Sequence, residues 1–380
     1  MFKKYLKKYL FKAAMLIIIV ILLPANCFAT AENMVSISAE GAVLLDWNTG
    51  RILYARNAHL PKPMASITKV MTAVLALEKG NLGDMVIASP RAATTGGSSI
   101  WLEESEQKSL EELLYGLMLR SGNDAAVAIA EHIAGDERSF AKIMTRRAYD
   151  LGARNTSFKN PHGLHHIDHY TTAYDFSRIS AHAMGISKFR EIIATEHIII
   201  SWPGHPWERH LYNQNRLLEL YPGAEGIKTG WTTPAGRCFA GAAARDGRRL
   251  IVVLLNAPAM WEDAVQLLDY GFNQYSYKPL IIEGQTLKTV PVLNSTRKRI
   301  TISAGKSFLF PMQEGETKNV TYRFIVTDPL YAPLKAGERV GELEINFDHE
   351  LIGMVELLAA EDANKINIWQ RVKRMLGRGV

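Results

Sequence analysis

The chain predicts an α/β fold: helices layered on an antiparallel sheet, then a small β-sandwich and a C-terminal amphipathic helix. Three observations carry this. Over residues 34–275 the pattern runs hairpin, helical middle, hairpin, helix, and the two hairpins must meet in one sheet to bury their apolar faces. Residues 280–360 change to short β-type runs separated by Gly, Pro and Asn, with no helical pattern between them. Residues 364–380 change again, to apolar positions at helical spacing among basic ones. At 380 residues, 47% hydrophobic and 22% charged, without repeats or low-complexity runs, the chain is globular and long enough for two domains.

The first residues stand apart from this fold. Lys3, Lys4, Lys7, Lys8 and Lys12 occur with no acid among them; an unbroken apolar run from Ala13 to Leu23 follows, then Pro24, then the small Ala29 and Ala31. This is the layout of a secretory signal peptide over residues 1–29, with an uncleaved N-terminal anchor as the alternative. Pro24 and Asn26 argue against lipid attachment at Cys27. Removing five lysines takes the formal charge from +6 to +1, so the basic balance reflects export and supports no nucleic-acid reading. Only Cys238 then remains, which excludes an internal disulfide and reads as a small buried hydrophobe in "CFAGAAA".

Taken in order, "AVLLDWNTGRILYARN" is a hairpin turned at Asn48-Thr49-Gly50. "MASITKVMTAVLALEKG" is apolar on nearly every side and stops at Gly80, as a buried central helix does. Ser109 and Glu112 form a capping box for a helix reaching about Leu119; "SGND" is a turn, and a second helix runs from about Ala125 to Ala134. Residues 150–220 read as loop-rich with short helical stretches. "RCFAGAAARDGRRLIVVLLNA" is the second hairpin, turned at Asp246-Gly247, and "WEDAVQLLDYGFNQY" a helix packed on the sheet. In the tail, Ile368, Trp369, Val372, Met375 and Leu376 share an arc of about 120° on a helix, with Arg371, Lys373, Arg374 and Arg378 outside it. That suits a helix lying on a membrane surface; a helix packed on the protein is the alternative.

Three motifs carry the chemistry. In Ser66-Ile67-Thr68-Lys69 a hydroxyl and an amine share one helix face at i and i+3. Pro63 places Ser66 in the first turn, where free N–H groups and the helix dipole favour negative charge. A lysine inside an apolar helix resists charging and can serve as a base. Ser121-Gly122-Asn123 sits at a break between helices, its hydroxyl suited to relay a proton and its amide to pair with a peptide. Lys228-Thr229-Gly230 enters a strand of the second hairpin; the lysine and threonine suit a free C-terminal carboxylate, and Gly230 admits close approach. Each motif alone is common. All three in this order form the set of penicillin-binding proteins and class A β-lactamases.

With "NPHGLHHIDHYTTAYD" (160–175), "NQNRLL" (213–218) and "GIKTGWTTPAG" (226–236) added, nearly all of the chain after residue 29 resembles the D-alanyl-D-alanine carboxypeptidases among the low-molecular-mass penicillin-binding proteins, serine peptidase family S11. The resemblance implies a serine D,D-peptidase/β-lactamase-like catalytic domain and a stem-peptide substrate from peptidoglycan. It also implies β-lactams as covalent inhibitors, no metal and no cofactor. It makes Ser66 the nucleophile, Lys69 its base and Ser121 the proton relay. Asn123 would hold the peptide, Lys228 and Thr229 the carboxylate, and the N–H groups of Ser66 and Trp231, beside Gly230, the oxyanion. The implied enzyme is extracytoplasmic, attached to the outer face of the membrane through its tail. One departure stands out: many relatives have an arginine after the second hairpin, where this chain has "NAPAMWEDA", so carboxylate binding shifts toward Lys228, Thr229 or Arg237.

Two patterns mislead. His162, His165, His166, His169 and Asp168 resemble metal ligands but lack the i, i+4 helical spacing of a zinc peptidase. Glu208 with Asn213 resembles a deacylating glutamate motif at the wrong spacing. A β-lactamase and a non-enzymatic wall or β-lactam binder are the competing functions; persistent covalent penicillin label, rapid turnover and no label separate the three.

Overall fold

A computed structural model describes residues 35–375. The expected signal peptide at 1–29, and Leu376 and Arg378 of the tail, lie outside the described residues.

A five-stranded antiparallel sheet forms the frame, in the order Ile52–Arg56, Gly41–Asp46, Arg248–Leu255, Gly236–Arg245, Ala224–Thr232. The sequence-distant hairpins join where Gly41–Asp46 pairs with Arg248–Leu255, Val43 opposite Val253. Asp246 and Gly247, both at positive φ (52° and 75°), make the tight turn that matches strand twist. Lys228-Thr229-Gly230 lies on a strand of its own at the sheet edge, paired with the first strand of that hairpin.

Helix Lys69–Lys79 is the hub, with its first eight residues buried. It follows directly on a 3-10 turn, Ala65–Thr68. Helix Leu110–Leu119 opens on the full Ser109–Glu112 capping box. Helix Asn123–Ala134 ends on Gly135 in the left-handed region (φ 82°), and helix Glu137–Asp150 is capped by Asp136. The middle is more regular than its sequence suggests. Thr172 caps a 13-residue helix, Ala173–Gly185, and His197–Ile200 pairs with Arg209–Tyr212 as a hairpin. The apolar stripe of that helix is diluted by the buried Ser177 and Ser180, and Ser177 satisfies its hydroxyl on the Tyr174 carbonyl (2.7 Å).

Helix Met260–Gln274 covers the sheet. Beyond it, a six-stranded sheet encloses its own core of Val290, Ile300, Ile302, Leu343, Ile345, Val355 and Leu357. Arg51, in the first hairpin's turn, joins the two parts. Its guanidinium makes a two-pronged pair with Glu316 (2.7 and 3.0 Å) and lies over Phe347, 4.5 Å from the ring centre.

Candidate active site

Ser66 lies in the 3-10 turn at the head of the hub helix. One turn on, Lys69 is fully buried, with its amine 3.1 Å from Ser66 Oγ, 2.6 Å from Asn123 Oδ1 and 2.7 Å from the His162 carbonyl oxygen. Burial, and after it the neighbouring Lys228, holds this ammonium well below its ordinary range, with Asp124 pulling the other way. A neutral amine has two protons and one lone pair. Asn123 Oδ1 and the His162 carbonyl can only accept, so they take both protons and leave the lone pair aimed at the Ser66 hydroxyl. The arrangement can deprotonate a serine.

Two glycines hold the Ser66 turn. A Cβ on Gly163, whose φ is +92°, would sit 2.0 Å from the Ala65 carbonyl oxygen. One on Gly230 would sit 2.8 Å from the Ser66 nitrogen, which is how close the edge strand comes to the Ser66 amide. Only glycine fits either approach.

The histidine-rich loop braces this turn. His169 Nδ1 accepts from the Lys159 N–H (3.0 Å), leaving Nε2–H for Thr68 Oγ1 (2.8 Å), whose proton goes to the Ala65 carbonyl (2.7 Å). Burial pushes His169 down to about 3, so it stays neutral. His162 Nδ1 accepts from the Leu164 N–H (3.1 Å) and its Nε2 meets Glu137 (3.2 Å). His165, His166 and Asp168 are exposed. Among the described residues no three His, Cys, Asp or Glu side chains converge as a metal site.

The open side is a cleft of about 440 Å³ bounded by Ser66, Ser121, Thr229, Gly230 and Trp231, with Ser98, Gln214, Arg237, Met260 and Trp261. Ser121 is held at φ 61°, a backbone region disfavoured for serine and tolerated at sites that must aim a side chain. Two residues expected to touch ligand are placed differently. Asn123, 3% exposed, turns its oxygen to Lys69 and donates through Nδ2 to the Gly96 carbonyl (2.7 Å). Lys228, 2% exposed, lies beneath the cleft with its amine on the Thr229 carbonyl (3.0 Å), and burial lowers it to about 7. Thr229 and Arg237 are the groups of the carboxylate set that reach the cleft. Met260 and Trp261 occupy the stretch that lacks the arginine, Trp261 edge-on to Phe239 at 5.1 Å. Glu208 is exposed and does not border the cleft. Cys238 is buried and its thiol pushed up to about 11, which leaves it inert.

Sequence reasoning missed Ser98, Gln214 and the His162 carbonyl. Gln214 lies within "NQNRLL" and His162 within "NPHGLHH", both quoted for the resemblance, but a backbone acceptor has no residue signature.

Residues 28–259 match the family model described as D-alanyl-D-alanine carboxypeptidase. The chain belongs to that family. Residues 275–365 match the model of the penicillin-binding protein 5 C-terminal domain. Among curated relatives, the D-alanyl-D-alanine carboxypeptidase DacF of Bacillus subtilis is 35% identical over 350 residues, 89% of each chain. DacC of Escherichia coli is 30% identical over 354 residues, 89% of this chain and 87% of that one. Penicillin binding protein 5 from Haemophilus influenzae superposes with a TM-score of 0.70 at 28% identity, covering 87% of this chain and 98% of that structure. The protein is a D-alanyl-D-alanine carboxypeptidase of a family of extracytoplasmic cell-wall enzymes that act on the peptidoglycan stem peptide and characteristically bind β-lactams.

Proposed function

We propose that Ser66 is the acyl-forming nucleophile of this carboxypeptidase and Lys69 its base. The observation that carries this is the Lys69 amine, 3.1 Å from Ser66 Oγ with both of its other contacts acceptors. Ser66 Oγ bonds to the carbonyl carbon of the penultimate D-Ala while its proton passes to Lys69. Lys69 hands that proton on through the Ser121 hydroxyl, which gives its own proton to the leaving D-Ala amine as the C–N bond breaks and takes the one from Lys69. The Ser66 and Trp231 N–H groups hold the oxyanion, supported by the closeness of Gly230 to the Ser66 amide. Thr229 and Arg237 bind the terminal carboxylate from the cleft, and Lys228 supplies positive potential from below. Water then releases the acyl group, and β-lactams acylate Ser66 as mimics. Mass spectrometry of a stem pentapeptide incubated with the protein should show loss of one D-Ala, and labelled penicillin should map to Ser66. Both should vanish in Ser66→Ala; a label persisting elsewhere would remove the assignment.

The chain divides, on this reading, into a signal peptide at 1–29, a catalytic domain at 34–275, a β domain at 280–360 and a membrane-surface helix at 364–380. Supporting the last, Ile368 and Trp369 on helix Ile368–Met375 are 73% and 75% exposed, and Val372 is exposed beside them. Among the described residues no helix is long and apolar enough to cross a membrane. Residues 361–380 carry five basic and two acidic side chains, and anionic lipid attracts each surface cation by about 1 kcal/mol, so attachment is peripheral and salt-sensitive. A chain ending at Ala360 should leave the membrane fraction; if it stays, the tail is not the anchor.

A further inference from the structure

A second concavity, of about 500 Å³, runs along the outer face of helix Glu137–Asp150 and shares no residue with the catalytic cleft. Arg138, Lys142 and Arg146 follow one another at i, i+4 and i+8, so a cation stands roughly every 6 Å along one face. Lys159, from the loop beyond, lines the same groove, and all four are exposed. At its end Tyr149 lies between two guanidiniums, Arg146 at 5.7 Å and Arg154 at 5.4 Å from the ring centre.

The neighbouring acids are committed elsewhere, save one. Asp136 caps the helix through Ser139 and feels Arg138. Glu137 turns to Arg91 (2.8 Å) and His162 (3.2 Å). Asp150 pairs with Arg146 at 3.0 Å. No carboxylate lines the groove. Residues 138–159 hold six basic side chains and one acidic, a net +5, whereas the whole of 35–375 nets only +1; of the six, Arg147 does not line the groove and is taken up by Glu78 (2.7 Å). A helix face that serves solubility alternates its signs. This one sets two like-charge i, i+4 pairs in succession, which weakens the helix itself.

We propose that this groove binds a linear phosphodiester polyanion, a polyol-phosphate chain, laid along the helix. Arginine forks and lysine point charges are the groups that hold phosphate oxygens, and a row of cations in a concavity matches a chain bearing charge at regular intervals. A bilayer surface fits less well. The groove is concave, and Tyr149 is the one exposed large hydrophobic group along it, so nothing there inserts among acyl chains. Such a groove holds the carboxypeptidase on an anionic polymer of its own compartment while the cleft stays free.

The test is fluorescence anisotropy of a labelled synthetic oligo(glycerol phosphate) with the full chain and with the triple variant Arg138→Gln, Lys142→Gln, Arg146→Gln. Binding should weaken steeply between about 50 and about 200 mM salt. The triple variant should bind at least about tenfold more weakly, with a shallower salt dependence by roughly two to three, and label with penicillin at the unchanged rate that reports an intact fold. An uncharged polyglycerol of equal length should not bind. Equal oligomer affinity in the triple variant, or affinity indifferent to salt, overturns the proposal. So does a groove-dependent affinity confined to vesicles of phosphatidylcholine with a quarter phosphatidylglycerol, which would assign the site to a lipid surface.

Discussion

At the scale of single residues, the chemistry turns on where two lysines lose their charge. As the proposed base, Lys69 works only when neutral, so acylation should rise with pH through its lowered value. On the proposed mechanism Lys228 helps only when charged, and at about 7 in the folded protein it should give kcat/KM a falling limb from near neutrality. Replacing Lys228 with Met removes a like charge from beside Lys69, so the rising limb should move to higher pH while the falling limb near 7 disappears. The measurement is penicillin acylation against pH, and an unmoved rising limb would detach the two lysines. Stability follows the same groups. Between about 7 and the ordinary 10.5 of Lys228 the unfolded chain binds the extra proton, so folding strengthens as pH rises through that window. Asn123→Ala leaves one proton of Lys69 without its acceptor and the lone pair free to turn. Acylation should fall by roughly 10²-fold or more, with substrate KM nearly unchanged because the amide faces the base; a rise in KM alone would return Asn123 to substrate binding.

At the scale of elements, the nucleophile turn is held by backbone approach. Gly163→Ala places a Cβ 2.0 Å from a carbonyl oxygen at φ +92°, and backbone cannot yield as a flexible side chain can. Gly204→Ala, at φ +86° with nothing within 4 Å, costs only the left-handed penalty of about 1–2 kcal/mol. Thermal unfolding should show Gly163→Ala losing clearly more than Gly204→Ala, together with loss of penicillin labelling; equal losses would mean the turn relaxes freely. The edge strand Ala224–Thr232 belongs to the same device, since every second N–H of an edge strand is free of ladder partners.

At the scale of the whole molecule, Arg51 ties the catalytic layer to the β domain through Glu316 and the rings of Phe347, Phe310 and Tyr275. Arg51→Ala strands a half-buried carboxylate and removes those ring contacts, a loss of about 2–4 kcal/mol. Calorimetry should resolve one transition into two while penicillin labelling persists. A single unshifted transition would mean the remaining contacts, such as the Tyr277 hydroxyl on Asp46 (3.0 Å), suffice alone.

What the sequence determined by itself was local. The Ser66–Lys69 face, the Ser109–Glu112 cap, the Asp246-Gly247 turn and the change of texture after residue 280 all depend on residues a few positions apart, where helix and strand periodicity speak directly. Only the tertiary structure decided what stands against the motif residues. Lys69 finds its acceptors 54 and 93 residues away, on Asn123 and on the His162 carbonyl. Two adjacent residues part company at the sheet edge, Thr229 bordering the cleft and Lys228 beneath it. Of the histidines that resemble a metal site, His169 becomes a prop for the Ala65–Thr68 turn. Burial and hydrogen-bond partners come from packing between distant segments, and no periodicity along the chain encodes which distant group will stand opposite.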